Sequence, residues 1–278
     1  VKRGDAQRSY FGVYRVMEAG DGEFNILTHG TTLHGAQRIR DSEGTLITDT
    51  TPGTYYHPAS PMARSVDVQR KAVTDLGRKL KVGVIGLGTG SLACYAEEGE
   101  AWRFFEIDPT VIGIASDPEK FSFLSNCLPS PDIVVGDARL TMAKQPDGYF
   151  DLIIVDAFSS DAVPVHLMTR EAMRLFAAKI SDNGVFVLHI SNRYLDLDGV
   201  VGATIQLTPE LTGIIVSDDT SDGTYGSSTS TVAVLARTEA PLTAFRALPG
   251  VYALEANNLR GWTDDYSDVL GPFLNRRK

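Results

Sequence analysis

The stretch "VIGLGTGSLACYAEEGEAWRFFEIDP", residues 84–109, decides the fold. It reads as a short apolar strand, a turn with Gly86, Gly88 and Gly90, a helical segment, and a second apolar strand ending in Glu106 and Asp108. Glycines lack a Cβ and let the backbone come close to a ligand. Such a turn after a buried strand binds a nucleotide-like molecule, either a dinucleotide or a sulfonium nucleoside. The dinucleotide fingerprint is G-x-G-x-x-G, and its third glycine falls where Ser91 stands here. The spacing therefore disfavours the dinucleotide, and the acids downstream carry the decision.

Outward from this stretch the same pattern repeats. "KVGVIG", "WRFFEID", "DIVVGD", "FDLIIVDAF" and "GVFVLHIS" are short, nearly continuous apolar runs separated by helical stretches. Runs of that kind suit strands buried on both faces. Their alternation with helices predicts an α/β fold, a Rossmann-like, methyltransferase-type doubly wound sheet. "LTGIIVSDD" and "STVAVLART" predict a closing antiparallel pair, with the polar "TSDGTYGSSTS" between them as a mobile loop. Before residue 58 the pattern is different. "YFGVYRV", "EFNILTHG" and "GTLITDT" alternate and are punctuated by Gly and Asp, which predicts a small antiparallel β-unit. Residues 1–58 are thus expected to form an N-terminal β-hairpin domain and residues 59–278 a Rossmann-like nucleoside-binding catalytic domain. A helix is expected over "SPMARSVDVQRKAVTDLGRKL", opened by Ser-Pro.

Bulk properties exclude some functions. The 278 residues carry a net charge of −9, which argues against nucleic acid or an anionic membrane as partner. No apolar run reaches the length of a membrane span. The start "VKRGDAQRSYFGVY" has no signal-peptide core. Beginning on Val suggests processing or excision from a longer protein. Two cysteines, Cys94 and Cys127, make no disulfide framework, and no zinc spacing accompanies them. The expectation is a reducing, cytoplasmic setting, no metal and no permanently bound cofactor.

Acids close three successive strands. Glu106, followed by Ile107, stands where a carboxylate accepts hydrogen bonds from ribose hydroxyls. Asp137, followed by Ala138, ends the third strand and suits the adenine amine. Asp156 ends the fourth, and Asp161 follows five residues later in a loop closing at Pro164. Two carboxylates over a nucleoside pocket would bind a cationic amine and take its proton, since an amine of pKa near 10 cannot attack while protonated. The plainer alternatives stay open: strand-end acids also cap the next helix, and Asp also makes turns.

The ordered motifs resemble the spermidine synthase (polyamine aminopropyltransferase) family, and more closely the spermidine synthase-like domains fused to a membrane-transporter-like half in bacteria. "RSYFGVYRV" and "GTTLHGAQ" stand where the family has its β-unit and its LDGxxQ stretch. "TYYHP", "GLGTGSLA", "FFEIDP", "GDARL" and "DAFSSDAVPVHLMT" follow in family order, and "HISNRYLDL" and "WTDDYS" look typical of the fused subgroup. The resemblance implies transfer of an aminopropyl group from decarboxylated S-adenosylmethionine to a polyamine, with release of 5′-methylthioadenosine. It implies Asp156 and Asp161 at the attacking amine; Gly86, Gly88, Thr89, Gly90, Glu106, Ile107, Asp137 and Ala138 at the nucleoside; and Gln37, Tyr55, Tyr56 and His189 at the acceptor entrance. It also implies a homodimer and an upstream membrane domain outside this chain.

Departures from the family pattern define alternatives. Thr89 stands where the glycine turn usually has an Asp for the donor's amino end, which would admit intact S-adenosylmethionine. Asp156 and Asp161 are two residues further apart than in the family loop, and Pro58 follows His57 where a Glu is usual. The alternatives are a methyltransferase, a self-cleaving lyase giving methylthioadenosine and a lactone, and a non-catalytic ligand-sensing domain. Asp264 and Asp265 beside Trp262 read as a solvated turn or a replacement amine site.

Overall fold

Near-continuous apolar runs lie at the centre of the larger of two sheets. A computed structural model describes residues 5–157, 164–192 and 194–274. The small sheet holds β1 (Asp5–Ser9), β2 (Gly12–Ala19), β3 (Phe24–His29) and β4 (Thr32–Arg38), antiparallel in sequence order. The large sheet holds β5 (Lys81–Ile85), β6 (Ala101–Glu106), β7 (Asp132–Val135), β8 (Phe150–Val155), β9 (Ile180–His189), β10 (Thr212–Asp218), β11 (Ser230–Ala236) and β12 (Val251–Ala253). Its spatial order is β12-β10-β11-β9-β8-β5-β6-β7.

β5 to β9 run parallel to one another, whereas β11 joins β9 antiparallel and β10 and β12 continue antiparallel. This is the expected α/β sheet with its antiparallel closing pair, plus the short β12. The chain builds outward from β5 to β6 and β7, then returns to the other side of β5 with β8. The carboxyl edge between β5 and β8 is therefore the topological switch point, where open α/β sheets bind ligands.

The helices are α1 (Pro61–Thr74), α2 (Pro109–Ala115), α3 (Phe123–Cys127), α4 (Ala138–Ala143), α5 (Arg170–Lys179), α6 (Leu197–Ile205), α7 (Leu242–Phe245) and α8 (Leu270–Leu274). Ser60 caps α1 by accepting from the Ala63 amide, and Pro61 follows at N1. The helix is shorter than expected: it stops at Thr74, and Gly77 takes a left-handed φ of 70° beyond it. Leu76, inside the stretch expected to be helical, is exposed. Tyr14, Val16 and Leu27 of the small sheet pack in one hydrophobic cluster with Val82, Val84 and Phe104 of the large one. Met168, Met173 and Phe176 belong to a second buried cluster with Ile153 and Phe186 of the large sheet.

Three expectations are corrected. "GTLITDT" forms no strand; it holds only an isolated bridge, Arg40 to Leu46, and the fourth strand is "TLHGAQR" instead. Leu46 is exposed, so its alternation had no core to face. The polar "TSDGTYGSSTS" is anchored at Tyr225, whose carbonyl accepts from the Thr54 amide at 2.9 Å and whose ring lies 5.6 Å from the Phe24 ring of β3, while residues 220–224 are exposed. Finally, Cys94 and Cys127 form a disulfide. α3 packs against the single-turn helix Ser91–Tyr95, which brings together cysteines separated by 33 positions. Spacing alone could not show that proximity.

Candidate active site

Each glycine of the turn after β5 has a left-handed φ: 95° at Gly86, 54° at Gly88 and 81° at Gly90. Their neighbours differ. A Cβ on Gly86 would lie 2.1 Å from the Asp156 carbonyl oxygen, one on Gly88 2.8 Å from the His34 carbonyl oxygen, and one on Gly90 2.8 Å from Leu124. The turn is wedged between the end of β8, β4 and α3, so its glycines serve packing as well as ligand approach.

Above the turn lies a cavity of about 720 Å³ at the carboxyl edge of the sheet. Gly86, Gly88, Glu106, Ile107, Asp137, Ala138, Asp156 and Tyr56 all line it. The small sheet supplies a roof through Phe11, Tyr14, Leu27 and His34, and the far wall comes from residues 164–167, Thr169, Thr263, Asp264 and Ser267.

Glu106 is buried. Its two oxygens accept from the Leu87 amide in the glycine turn and the Asp108 amide, each at 2.9 Å. Burial raises its pKa against the lowering effect of those amides. Glu106 thereby fixes the turn to the end of β6. Asp137 is the N-cap of α4: its Oδ1 accepts from the Leu140 amide at 3.0 Å. Its Oδ2 lies 3.8 Å from His166 Nε2. The capping alternative is thus realised, on a residue that also faces the cavity.

Asp156 is the most constrained acid. Its Oδ1 is 2.7 Å from His189 Nδ1, and its Oδ2 accepts from the Tyr56 hydroxyl. Burial pushes its carboxyl up, but His189 and the hydrogen bonds from His189 and Tyr56 outweigh it and hold the pKa below the usual carboxylate range. Asp156 is therefore an anion at neutral pH. His189 does not line the cavity; it braces Asp156 from behind, with Tyr55 stacked on it at 4.8 Å.

Other expected residues are placed elsewhere. Gln37 spends its amide between strand and helix, donating to the Asp49 carbonyl and Ser122 Oγ and accepting from the Ser122 amide. Thr89 is fully buried against Gly35, and Gly90 faces α3; neither lines the cavity. Asp161 lies outside the described residues. Asp264 is engaged by a two-pronged ion pair with Arg139, at 2.7 and 2.8 Å, and by the Thr169 hydroxyl, so it is not a free amine site. Sequence reasoning missed His34, Arg139 and the roof. Arg139 directly follows Asp137-Ala138, and His34 was visible only as the residue replacing the acid of LDGxxQ. Among the described residues no cluster of His, Cys, Asp or Glu is arranged to hold a metal ion.

Searched against models of protein families, the chain matches none. It is 34% identical over 111 residues to a polyamine aminopropyltransferase of Vibrio vulnificus (strain CMCP6). That match takes in 37% of this chain and 35% of the relative's length. Among solved structures it is similar to a probable spermidine synthase from Corynebacterium glutamicum ATCC 13032, with a TM-score of 0.61 at 13% identity, covering 96% of this chain and 98% of that one. It is also similar to the spermidine synthase from Thermotoga maritima, with a TM-score of 0.58 at 17% identity, covering 97% and 83%. The resemblance read from the ordered motifs is thus met by a relative in sequence and by two spermidine synthases in fold.

Proposed function

We propose that the chain is a spermidine synthase-type aminopropyltransferase, moving an aminopropyl group from decarboxylated S-adenosylmethionine to a polyamine acceptor. One observation carries the reading: a single cavity is lined by Glu106, Asp137 and the ionised Asp156, the last held by Tyr56 and His189. The sequence match to a polyamine aminopropyltransferase supports it.

In this reading Glu106 binds the ribose and Asp137 the adenine, which brings the sulfonium toward Gly86, Gly88 and Asp156. The anionic Asp156 attracts the protonated acceptor amine and takes one proton from it. The freed nitrogen lone pair then forms a bond to the carbon beside sulfur. The carbon–sulfur bond breaks with its electron pair going to sulfur, and neutral methylthioadenosine departs. Asp156 returns the proton to solvent. The positive sulfur is already a good leaving group, so the protein's contribution is alignment and removal of that proton.

The partners in this reading are a small amine and the nucleoside donor, and the place of work is the cytoplasm. The Cys94–Cys127 bond is the feature that sits least easily there. Among the described residues no helix is long and apolar enough to cross a membrane.

The test is product analysis with decarboxylated and intact donor across a panel of diamines. Methylthioadenosine should appear only when an amine is present. Asp156→Asn should lower turnover about 10²- to 10⁴-fold, the usual weight of a proton-transfer group, while still binding methylthioadenosine. Methylthioadenosine formed without amine, or S-adenosylhomocysteine from the intact donor, would replace this reading with self-cleavage or methyl transfer.

A further inference from the structure

β3 and β4 do not pair evenly. Leu27 faces Gly35 and Thr28 faces Leu33, so His34 is the extra residue of a β-bulge. Bulges beside functional sites re-aim a side chain. Here Gly35 makes the bulge possible with a φ of 142°, and its missing Cβ leaves room for Thr89. The result is an imidazole in the roof of the cavity. The ring lies within electrostatic reach of Asp156, and its backbone carbonyl packs on the glycine turn, 2.8 Å from where a Cβ on Gly88 would stand. The His34 Nε2 is buried and has no hydrogen-bond partner among the described residues. An unpaired buried polar nitrogen is costly, and here it means that the fold itself makes no use of the ring's Nε2.

We propose that His34 is an acceptor-binding residue: its imidazole accepts one N–H of the incoming amine while Asp156 accepts another. This rests on the aminopropyltransferase reading for the identity of the amine, but not for its outcome. An amine has more N–H groups than one carboxylate already bonded to Tyr56 and His189 can satisfy. A second acceptor on the opposite wall fixes the nitrogen's orientation and leaves its lone pair to face the donor carbon. A neutral ring suits this role because it adds no charge to repel an ammonium. Burial drives the His34 pKa down to about 4, so the ring is neutral across the working range.

The experiment is calorimetric titration of putrescine and longer diamines into the full chain saturated with methylthioadenosine, alongside steady-state kinetics. His34→Leu should weaken diamine binding at least tenfold and raise the acceptor KM in parallel, with methylthioadenosine affinity unchanged within twofold. His34→Gln, which restores a hydrogen-bonding group, should recover a large part of the loss. Unchanged diamine binding in His34→Leu overturns the proposal. So does an equal loss of diamine and methylthioadenosine binding, which marks a collapsed cavity. So does failure of the unaltered protein to bind any diamine. If diamine binds and responds to His34 but no product forms, the assignment of His34 stands and aminopropyl transfer fails.

Discussion

At the scale of single residues, the site sets buried polar groups against their preference for water, and this should be visible in stability. His34 has a folded pKa near 4, because burial disfavours the imidazolium more than Asp156 favours it. In the unfolded chain it titrates near 6.5. Between those values the unfolded state binds the proton and the folded state does not, so stability falls as pH drops from about 6.5 toward 4. The loss attributable to this group at pH 4.5 is about 2 to 3 kcal/mol. Denaturant titrations at pH 7 and 4.5 check it: His34→Gln should lose less stability than the unaltered chain by about that amount. Equal losses in both proteins would mean that His34 is hydrated in the native state. The sequence reading placed Glu106, Asp137 and Asp156 in one cavity because each follows an apolar strand of the parallel sheet, a position that alternation of strand and helix makes legible even though β7, before Asp137, is a half-exposed edge strand. It did not place His34. A bulge depends on which residue of β3 faces which residue of β4, and that register is written in tertiary packing rather than in the local pattern.

At the scale of elements, Asp137 combines two roles that can be separated. As the N-cap of α4 it satisfies the Leu140 amide, and from the same position it faces the cavity. Asn caps as well as Asp, whereas Ala does not. Asp137→Asn should therefore hold stability within about 0.5 kcal/mol, and Asp137→Ala should lose about 1 kcal/mol. Both should weaken methylthioadenosine binding about tenfold, equivalent to about 1.4 kcal/mol, if the carboxylate meets the adenine. Calorimetry and thermal melts on the pair give the answer. Unweakened binding in the Asn variant reduces Asp137 to a cap. The succession of parallel strands along the chain and the acids that follow them was readable at this scale; their spatial order in the sheet was not. The misplaced element, "GTLITDT", shows the opposite case: alternation alone does not make a strand where no neighbouring strand or core receives its apolar side chains.

At the scale of the whole molecule, the cavity needs both sheets. The large sheet supplies the acids along one edge, and the small sheet covers that edge through Tyr14, Leu27 and His34 while sharing its hydrophobic cluster. The two-sheet plan follows from the change of periodicity near residue 58; the closure of one sheet over the other does not. The Cys94–Cys127 bond belongs to the same class of long-range facts. It ties the turn following Gly90 to α3 and closes a loop spanning 33 positions. Restricting the unfolded chain over a loop of that length is worth about 3 to 4 kcal/mol. Neither cysteine lines the cavity, so the bond acts on stability rather than on ligand contact. Reduction, or the Cys94→Ser and Cys127→Ser double variant, should lower the denaturation midpoint by an amount corresponding to roughly 2 to 4 kcal/mol. The denaturant slope should steepen, because the released unfolded chain exposes more surface. Methylthioadenosine affinity should stay within about threefold. A stability unchanged by reduction would show that α3 and the glycine turn are held by packing alone. A loss of affinity with stability preserved would instead make the bond a determinant of the turn's shape, and so of the site above it.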